Sequence, residues 1–234
     1  MTVYNSWPLG KLPKEFQRNE PELIRKDYPW NDPREIVGIF EKKVAKFAGS
    51  KYAVSVDCCT NAIFLSLKYL LTFGEVDLHS RVYIPRHTYC SVFMQLQHLK
   101  FNVILGDKEW KGAYQLYPTR VVDAAVRWTR GMYIPESLMC LSFQIKKRVP
   151  IGKGGMILTD DPKAYRWLKL ASYDGRDLDT PYDSPGHVQM MGYHMYMTPE
   201  DAARGIWLMD RVPAVNEDQG GWQNYPDLAR MVSY

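Results

Sequence analysis

From residue 30 onward the apolar positions switch between two habits: intervals of three and four that mark one face of a helix, and short unbroken runs that mark buried strands. Gly, Pro and polar turns separate them, which predicts an α/β fold with a mixed, mostly parallel sheet flanked by helices. Asp32-Pro33-Arg34-Glu35 reads as a helix start with Asp32 as the N-cap, followed by a face of Ile36, Phe40, Val44 and Phe47 and a stop at Gly49. Strands are expected over 52–56, 81–84, 101–105, 120–123, 139–143 and 156–159, with helices from Thr60 through Leu71 and over 88–99. Two later helices open at Asp161-Pro162 and at Thr198-Pro199-Glu200-Asp201, the second with a capping-box pattern. The division that follows is an N-terminal arm over 1–30, one large domain over 31–212 and a tail over 213–234 lying on a surface.

Composition narrows the class. With 46% hydrophobic and 24% charged residues in a chain of 234, neither a disordered tail nor a disulfide mini-scaffold fits. The net charge of +4 is spread without a long basic block, so a nucleic-acid role is not indicated. The apolar run 62–71 is interrupted by Lys68 and is too short to cross a bilayer, and the first residues do not resemble a signal peptide, so a cytoplasmic chain without a membrane partner is expected. Cysteines 58, 59, 90 and 140 have no metal-ligand spacing, which argues against zinc. Aromatic residues make up 13%, more flat apolar surface than a core requires, and such a surplus often marks stacking sites and interfaces.

Four features fall at the C-terminal ends of expected strands. The strand-turn-helix at 56–60 has the free N–H groups and dipole that suit a phosphate, although many such turns only cap a helix. Tyr89 can stack on a flat ligand or fill the core. Asp123 ends an apolar strand, where a carboxylate is costly unless a donor or cation meets it; an ordinary helix cap is the alternative. The loop 144–155 holds Lys146 and Lys147, which are solvated charges unless one of them is held beside an electrophilic carbonyl. Phosphate cradle, stacking ring, carboxylate and lysine together are the parts that hold pyridoxal phosphate.

With those parts in place the sequence, from about Phe40 to Arg211, resembles the DegT/DnrJ/StrS-type sugar aminotransferases. Cys58-Cys59-Thr60-Asn61-Ala62 stands at the family's S-G-T-x-A phosphate loop, and Pro85-Arg86-His87-Thr88-Tyr89 at its P-x-x-T-aromatic segment. Val122-Asp123-Ala124-Ala125 matches E-D-A-A, and Ser142-Phe143, Lys147 and Gly152-x-Gly154-Gly155 match S-F-x-x-x-K-x-x-x-x-G-x-G-G. Gly192-Tyr193-His194-Met195-Tyr196-Met197 is similar to G-Y-N-x-R-M. The resemblance implies a fold-type I architecture, pyridoxal phosphate as cofactor, an amino donor such as glutamate and a nucleotide-linked keto sugar as acceptor. It further implies Lys147 as the catalytic lysine that forms the Schiff base. Cys59, Thr60 and Ser142 fall at the phosphate, Tyr89 on the ring and Asp123 at the pyridine nitrogen. His194 would reach the phosphate of the other subunit in a homodimer.

The departures from the pattern are Cys59 in place of Gly, Val126 in place of a Gln or His, and Tyr196 in place of Arg. Family members continue into a small C-terminal domain, which is expected to be absent from a chain ending at Tyr234. The alternatives to an aminotransferase are a cofactor-binding but degenerate dimeric module, or another pyridoxal phosphate reaction; retention of Lys147 argues against the family's dehydratases, which carry His there.

Overall fold

The structure, a computed structural model, describes Ile24, Asp32 and residues 34–231. Apart from Ile24, the arm expected over 1–30 lies outside the described residues. Helix α1 spans Glu35–Ala48 and buries Ile36, Phe40, Val44, Ala45 and Ala48, the stripe that its apolar spacing predicts; Gly49 closes it at φ 89°. Asp32 is not its N-cap. Arg34 holds that position, and Asp32 Oδ1 instead accepts from the Arg34 N–H at 2.8 Å, so the carboxylate shapes the lead-in two residues before the first turn.

The remaining elements follow in chain order: β1 Tyr52–Val56, α2 Cys59–Thr72, β2 Arg81–Pro85, α3 Cys90–His98, β3 Asn102–Gly106, β4 Tyr114–Gln115, β5 Val121–Asp123, β6 Leu138–Ser142, β7 Gly155–Thr159, α4 Pro162–Ser172 and α5 Pro199–Met209. A 3₁₀ turn at Trp222–Asn224 and the short α6 at Leu228–Met231 come last. The caps of α4 and α5 are those read from the sequence. Asp161 accepts from the N–H groups of Lys163 and Ala164, and Thr198 from that of Asp201. Among the described residues no helix is long and apolar enough to cross a membrane.

Strands β1, β7, β6, β5 and β4 form one sheet in that order. β2 and β3 pair in parallel and join the far edge where Tyr83 and Tyr117 exchange backbone hydrogen bonds of 2.7 and 3.1 Å. β5 and β6 are parallel, β7 is antiparallel to both β6 and β1, and β4 is antiparallel to β5. The sheet is therefore mixed: β1, β6, β5, β2 and β3 share one direction, opposed by β7 and β4.

Alternate side chains of the central strands sort into two cores. Leu138, Cys140 and Ile157 pack against α2, α3 and α4 on one face, while Met139, Leu141, Met156 and Leu158 meet α1 and α5 on the other. At the β1 edge the buried Glu41 of α1 joins the two layers. Its Oε1 accepts from the Ser55 N–H and Oγ at 2.8 and 2.9 Å, and both of its oxygens accept from Lys169 Nζ of α4 at 3.0 and 2.9 Å.

One edge of this sheet gathers the segments of interest. β1, β5 and β6 end there, and β7 begins there, with Gly155 registered between Val56 on one side and Ser142 on the other. The turn after β1 lies so close to Gly155 that a Cβ on it would stand 2.4 Å from the Cys58 carbonyl carbon and 2.5 Å from the Cys59 nitrogen. Both are backbone atoms, so relief requires the turn itself to move. Gly155→Ala is expected to cost about 1–3 kcal/mol in denaturant unfolding; an unchanged midpoint would contradict the tight seating of this turn.

Candidate active site

Helix α2 begins at this edge. Cys58 is extended, with φ −165° and ψ 160°, and no side chain caps the helix, which leaves first-turn N–H groups to meet an anion. Cys59 is already the first helical residue, a right-handed position open to any residue type. A cysteine in place of the family pattern's glycine, which would restrict a backbone outside the right-handed region, therefore has no consequence here. Beside it, Thr60 Oγ1 and Ser91 Oγ lie 2.9 Å apart. Asp57 Oδ1 accepts from Asn61 Nδ2 at 2.7 Å, and its Oδ2 lies 3.4 Å from Lys153 Nζ.

Asp123 ends β5 and is buried. Its Oδ1 accepts from the Ala125 N–H and its Oδ2 from the Tyr114 hydroxyl, both at 2.9 Å. Tyr114 in turn lies 2.5 Å from Thr88 Oγ1. Burial pushes the Asp123 carboxyl above its ordinary range, against the lowering effect of those two donors and of the Lys147 ammonium. The same burial pushes the Cys59 thiol well up, so that it is a neutral wall group rather than a thiolate; the Asp123 charge adds to that shift.

Lys147 comes from the loop between β6 and β7. Its N–H donates to the Gln144 carbonyl at 2.8 Å, and the loop is closed by Phe143 N–H to Gly154 O at 2.9 Å and Gly152 N–H to Phe143 O at 3.1 Å. Gly154, at φ 154°, is packed beneath by Phe143 and Met197. Lys147 is half-buried and its neighbour Lys146 exposed.

These groups surround a single cavity of about 620 Å³. Cys59, Thr60, Tyr89, Asp123, Ser142 and Lys147 all line it, with Tyr89 58% exposed and its ring therefore free to cover a ligand. His194 does not. It belongs to a loop whose Met195 carbonyl accepts from the Asp57 N–H, but its ring is directed outward, with Nδ1 3.1 Å from both oxygens of Asp174.

Several wall residues carried no signal in the sequence. Tyr114 sits on a strand of two residues, too short for a period; Trp110, Ser91, Asn224 and Tyr225 also line or back the cavity. The tail expected to lie on a surface supplies three of the lining residues, Gln219, Asn224 and Tyr225, and buries Leu228. Two arginine–aspartate pairs hold it against the domain.

The model of the DegT/DnrJ/EryC1/StrS aminotransferase family matches residues 30–134 and 130–225 of the chain. Among curated proteins, the spore coat polysaccharide biosynthesis protein SpsC of Bacillus subtilis (strain 168) is 24% identical over 88% of this chain and 64% of its own length. AtS13 from Actinomadura melliaura superposes with a TM-score of 0.68 at 18% identity, covering 82% of this chain and 63% of that one. A variant of GDP-4-keto-6-deoxymannose-3-dehydratase (ColD) with bound GDP-perosamine gives 0.65 at 17%, covering 83% and 65%. The chain thus spans a little under two thirds of the length of the relatives it matches, and it shares their fold.

The raised Asp123 carboxyl has a consequence for stability. Folding favours its neutral form, so its contribution is fully present below the ordinary carboxylate range near 4 and is lost as pH rises through the raised folded value. Without small molecules, Asp123→Asn should melt above the wild type at about pH 8, with the gap closing near pH 4. Thermal unfolding at the two pH values measures this, and a wild type more stable than the variant at the higher pH contradicts it.

Proposed function

The chain belongs to the DegT/DnrJ/EryC1/StrS aminotransferase family. On that premise we propose that it acts as a pyridoxal phosphate-dependent aminotransferase, with glutamate as amino donor and a nucleotide-linked keto sugar as acceptor. The observation that carries the reading is the meeting, in one cavity, of a lysine with a buried carboxyl that has two neutral donors and, among the described residues, no ion-pair partner.

The donor set fits the cofactor. A buried carboxyl with a raised pKa is relieved by a cationic partner, and a protonated ring nitrogen is such a partner. Thr60, Ser142 and the uncapped start of α2 offer hydroxyl and N–H donors to a phosphate. Tyr89 presents a ring face, and Lys147 presents an amine to an aldehyde. When bound, pyridoxal phosphate supplies that aldehyde and a ring that draws electrons from the bonds of a captured amine. Lys147 then has two duties: to hold the aldehyde and, once displaced, to accept and return a proton. Asp123 keeps the ring nitrogen charged. Lys146, exposed on the cavity rim, is placed for an anionic substrate such as a sugar diphosphate.

Mixing the protein with pyridoxal phosphate is expected to give a yellow species that borohydride fixes covalently to the chain. Lys147→Ala should abolish the fixed label, and glutamate should convert the bound cofactor to its amino form. A wild type that never labels refutes the enzyme reading, while labelling without conversion by glutamate would favour a binding module.

The proposal includes a second copy of the chain. His194 is 70% exposed on its side chain, and Tyr182, Val188 and Met191 on the preceding loop are 80%, 62% and 92% exposed, an apolar and imidazole-bearing surface suited to a partner's phosphate site. Sedimentation at micromolar concentration should give two chains per particle; a monomer throughout would contradict a shared site.

A further inference from the structure

Residues 216–228 run as a strap along the cavity wall. The Gln219 N–H donates to the Val126 carbonyl at 2.9 Å, the Gly112 N–H to the Gly220 carbonyl at 2.9 Å, and the Trp222 N–H to the Trp110 carbonyl at 3.0 Å. Further on, His87 Nδ1 lies 3.0 Å from the Tyr225 carbonyl, and the Leu228 N–H donates to the Arg86 carbonyl at 2.9 Å. A bidentate ion pair fixes each end. Arg127 holds Asp218 through Nε and Nη2 at 3.0 and 2.8 Å, and Arg86 holds Asp227 through the same atoms at 3.0 and 2.8 Å. The anchoring residues follow β5 and β2, the strands that deliver Asp123 and the Tyr89 segment.

Between the two anchors the strap places one polar aromatic at the level of Asp123. The Tyr225 ring packs on Trp110, with centroids 5.6 Å apart, and Trp110 packs on Tyr114, the donor to Asp123, at 4.8 Å. Tyr225 lines the cavity, yet its hydroxyl has no hydrogen-bond partner among the described residues. Burial, together with the nearby Asp123, Cys59 and Tyr89, pushes this phenol up to about 12, so it remains a proton donor across the working range. Val126, which stands where the family pattern has a Gln or His, lines the same cavity with an apolar side chain and offers no donor.

We propose that Tyr225 is a further cofactor-binding residue, delivered by the clamped strap, whose hydroxyl donates to the oxygen substituent of a pyridoxal ring seated between Tyr89 and Asp123. The inference rests on the pyridoxal phosphate reading above. The hydroxyl is reachable from the cavity, so a ligand oxygen there can replace solvent as its acceptor, and the clamps hold it in place beforehand. Because a donor to that oxygen favours its anionic form, losing the hydroxyl should raise the pH midpoint of the bound cofactor's visible absorbance.

The test is a titration of wild type, Tyr225→Phe, Asp227→Ala and the double variant with pyridoxal phosphate, read by visible absorbance across pH, with proteolysis of the strap followed in parallel. Tyr225→Phe keeps the ring and its packing, so a purely structural role would leave binding intact. The expected result is roughly ten-fold weaker binding and an upward shift of the midpoint. Asp227→Ala should weaken binding similarly, with the double variant no worse than the poorer single, because both act through one hydroxyl. Cofactor should slow cleavage of the strap in the wild type and protect it less in Tyr225→Phe. If Tyr225→Phe binds with unchanged affinity and midpoint, the inference falls while the cofactor reading stands. If the wild type takes up no cofactor, that reading falls and the inference with it.

Discussion

The cavity is organised around a carboxyl group that the fold buries without a cation of matching permanence. Asp123 stands at the end of a strand whose other residues are fully apolar, and two neutral donors meet only part of its acceptor capacity. Such a group raises its own pKa unless a positive partner arrives. Tyr114, backed by Thr88 and Trp110, then follows as the group that fixes Oδ2, with the Ala125 N–H on Oδ1, and Tyr89 and Lys147 as the groups that face the same space. A hydrophobic residue at 123 would relieve the electrostatic cost, and would remove the buried acid on which the proposed reading of the cavity rests.

The direction of the strands brings the rest to that carboxyl. Because β1, β5 and β6 are parallel in sense, their C-terminal ends share an edge, and because β7 runs the other way its first residue meets the turn after β1. Gly155 permits that approach, so the uncapped N-terminus of α2 lies against the strand that follows the lysine loop. The start of α2 and the lysine loop are thereby held on neighbouring strands, with β7 paired to β1 on one side and to β6 on the other. Glu41 reinforces the arrangement from behind by tying α1, β1 and α4 with one buried carboxylate.

How much of this the sequence carries depends on how local the determinant is. β1, β6 and β7 are apolar runs bounded by turns, and α4 is announced by Asp161-Pro162; all lie within a residue of where the pattern puts them. Asp123 and Ser142 close their strands and Cys59, Thr60, Tyr89 and Lys147 come within five residues of a strand end; strand position and motif register together make them legible, and parallel strand ends bring them to one cavity. Asp32 misleads because a carboxylate before a helix looks alike whether it caps the first turn or folds onto the residue two positions on. β4 has too few residues for a period to exist, which hides Tyr114. His194 is legible as a motif residue, but its expected partner belongs to another copy of the chain, and within one chain Asp174 takes it.

The strap is the clearest case of a determinant invisible in local pattern. Its residues show neither a helical nor a strand period, and its course is set by pairs separated by 91 and 141 positions in the chain. Each pair is a surface-facing arginine with a more protected aspartate, and a single exposed pair of that kind contributes little to stability on its own. Two bidentate pairs with four intervening backbone or imidazole contacts, and a fifth at Leu228 just beyond, act differently, because each contact lowers the entropy cost of the next along one short segment. The physical effect of the clamps is therefore better described as registration than as stabilisation: they fix which side chains of the strap reach the cavity, and Gln219, Asn224 and Tyr225 are the ones that line it.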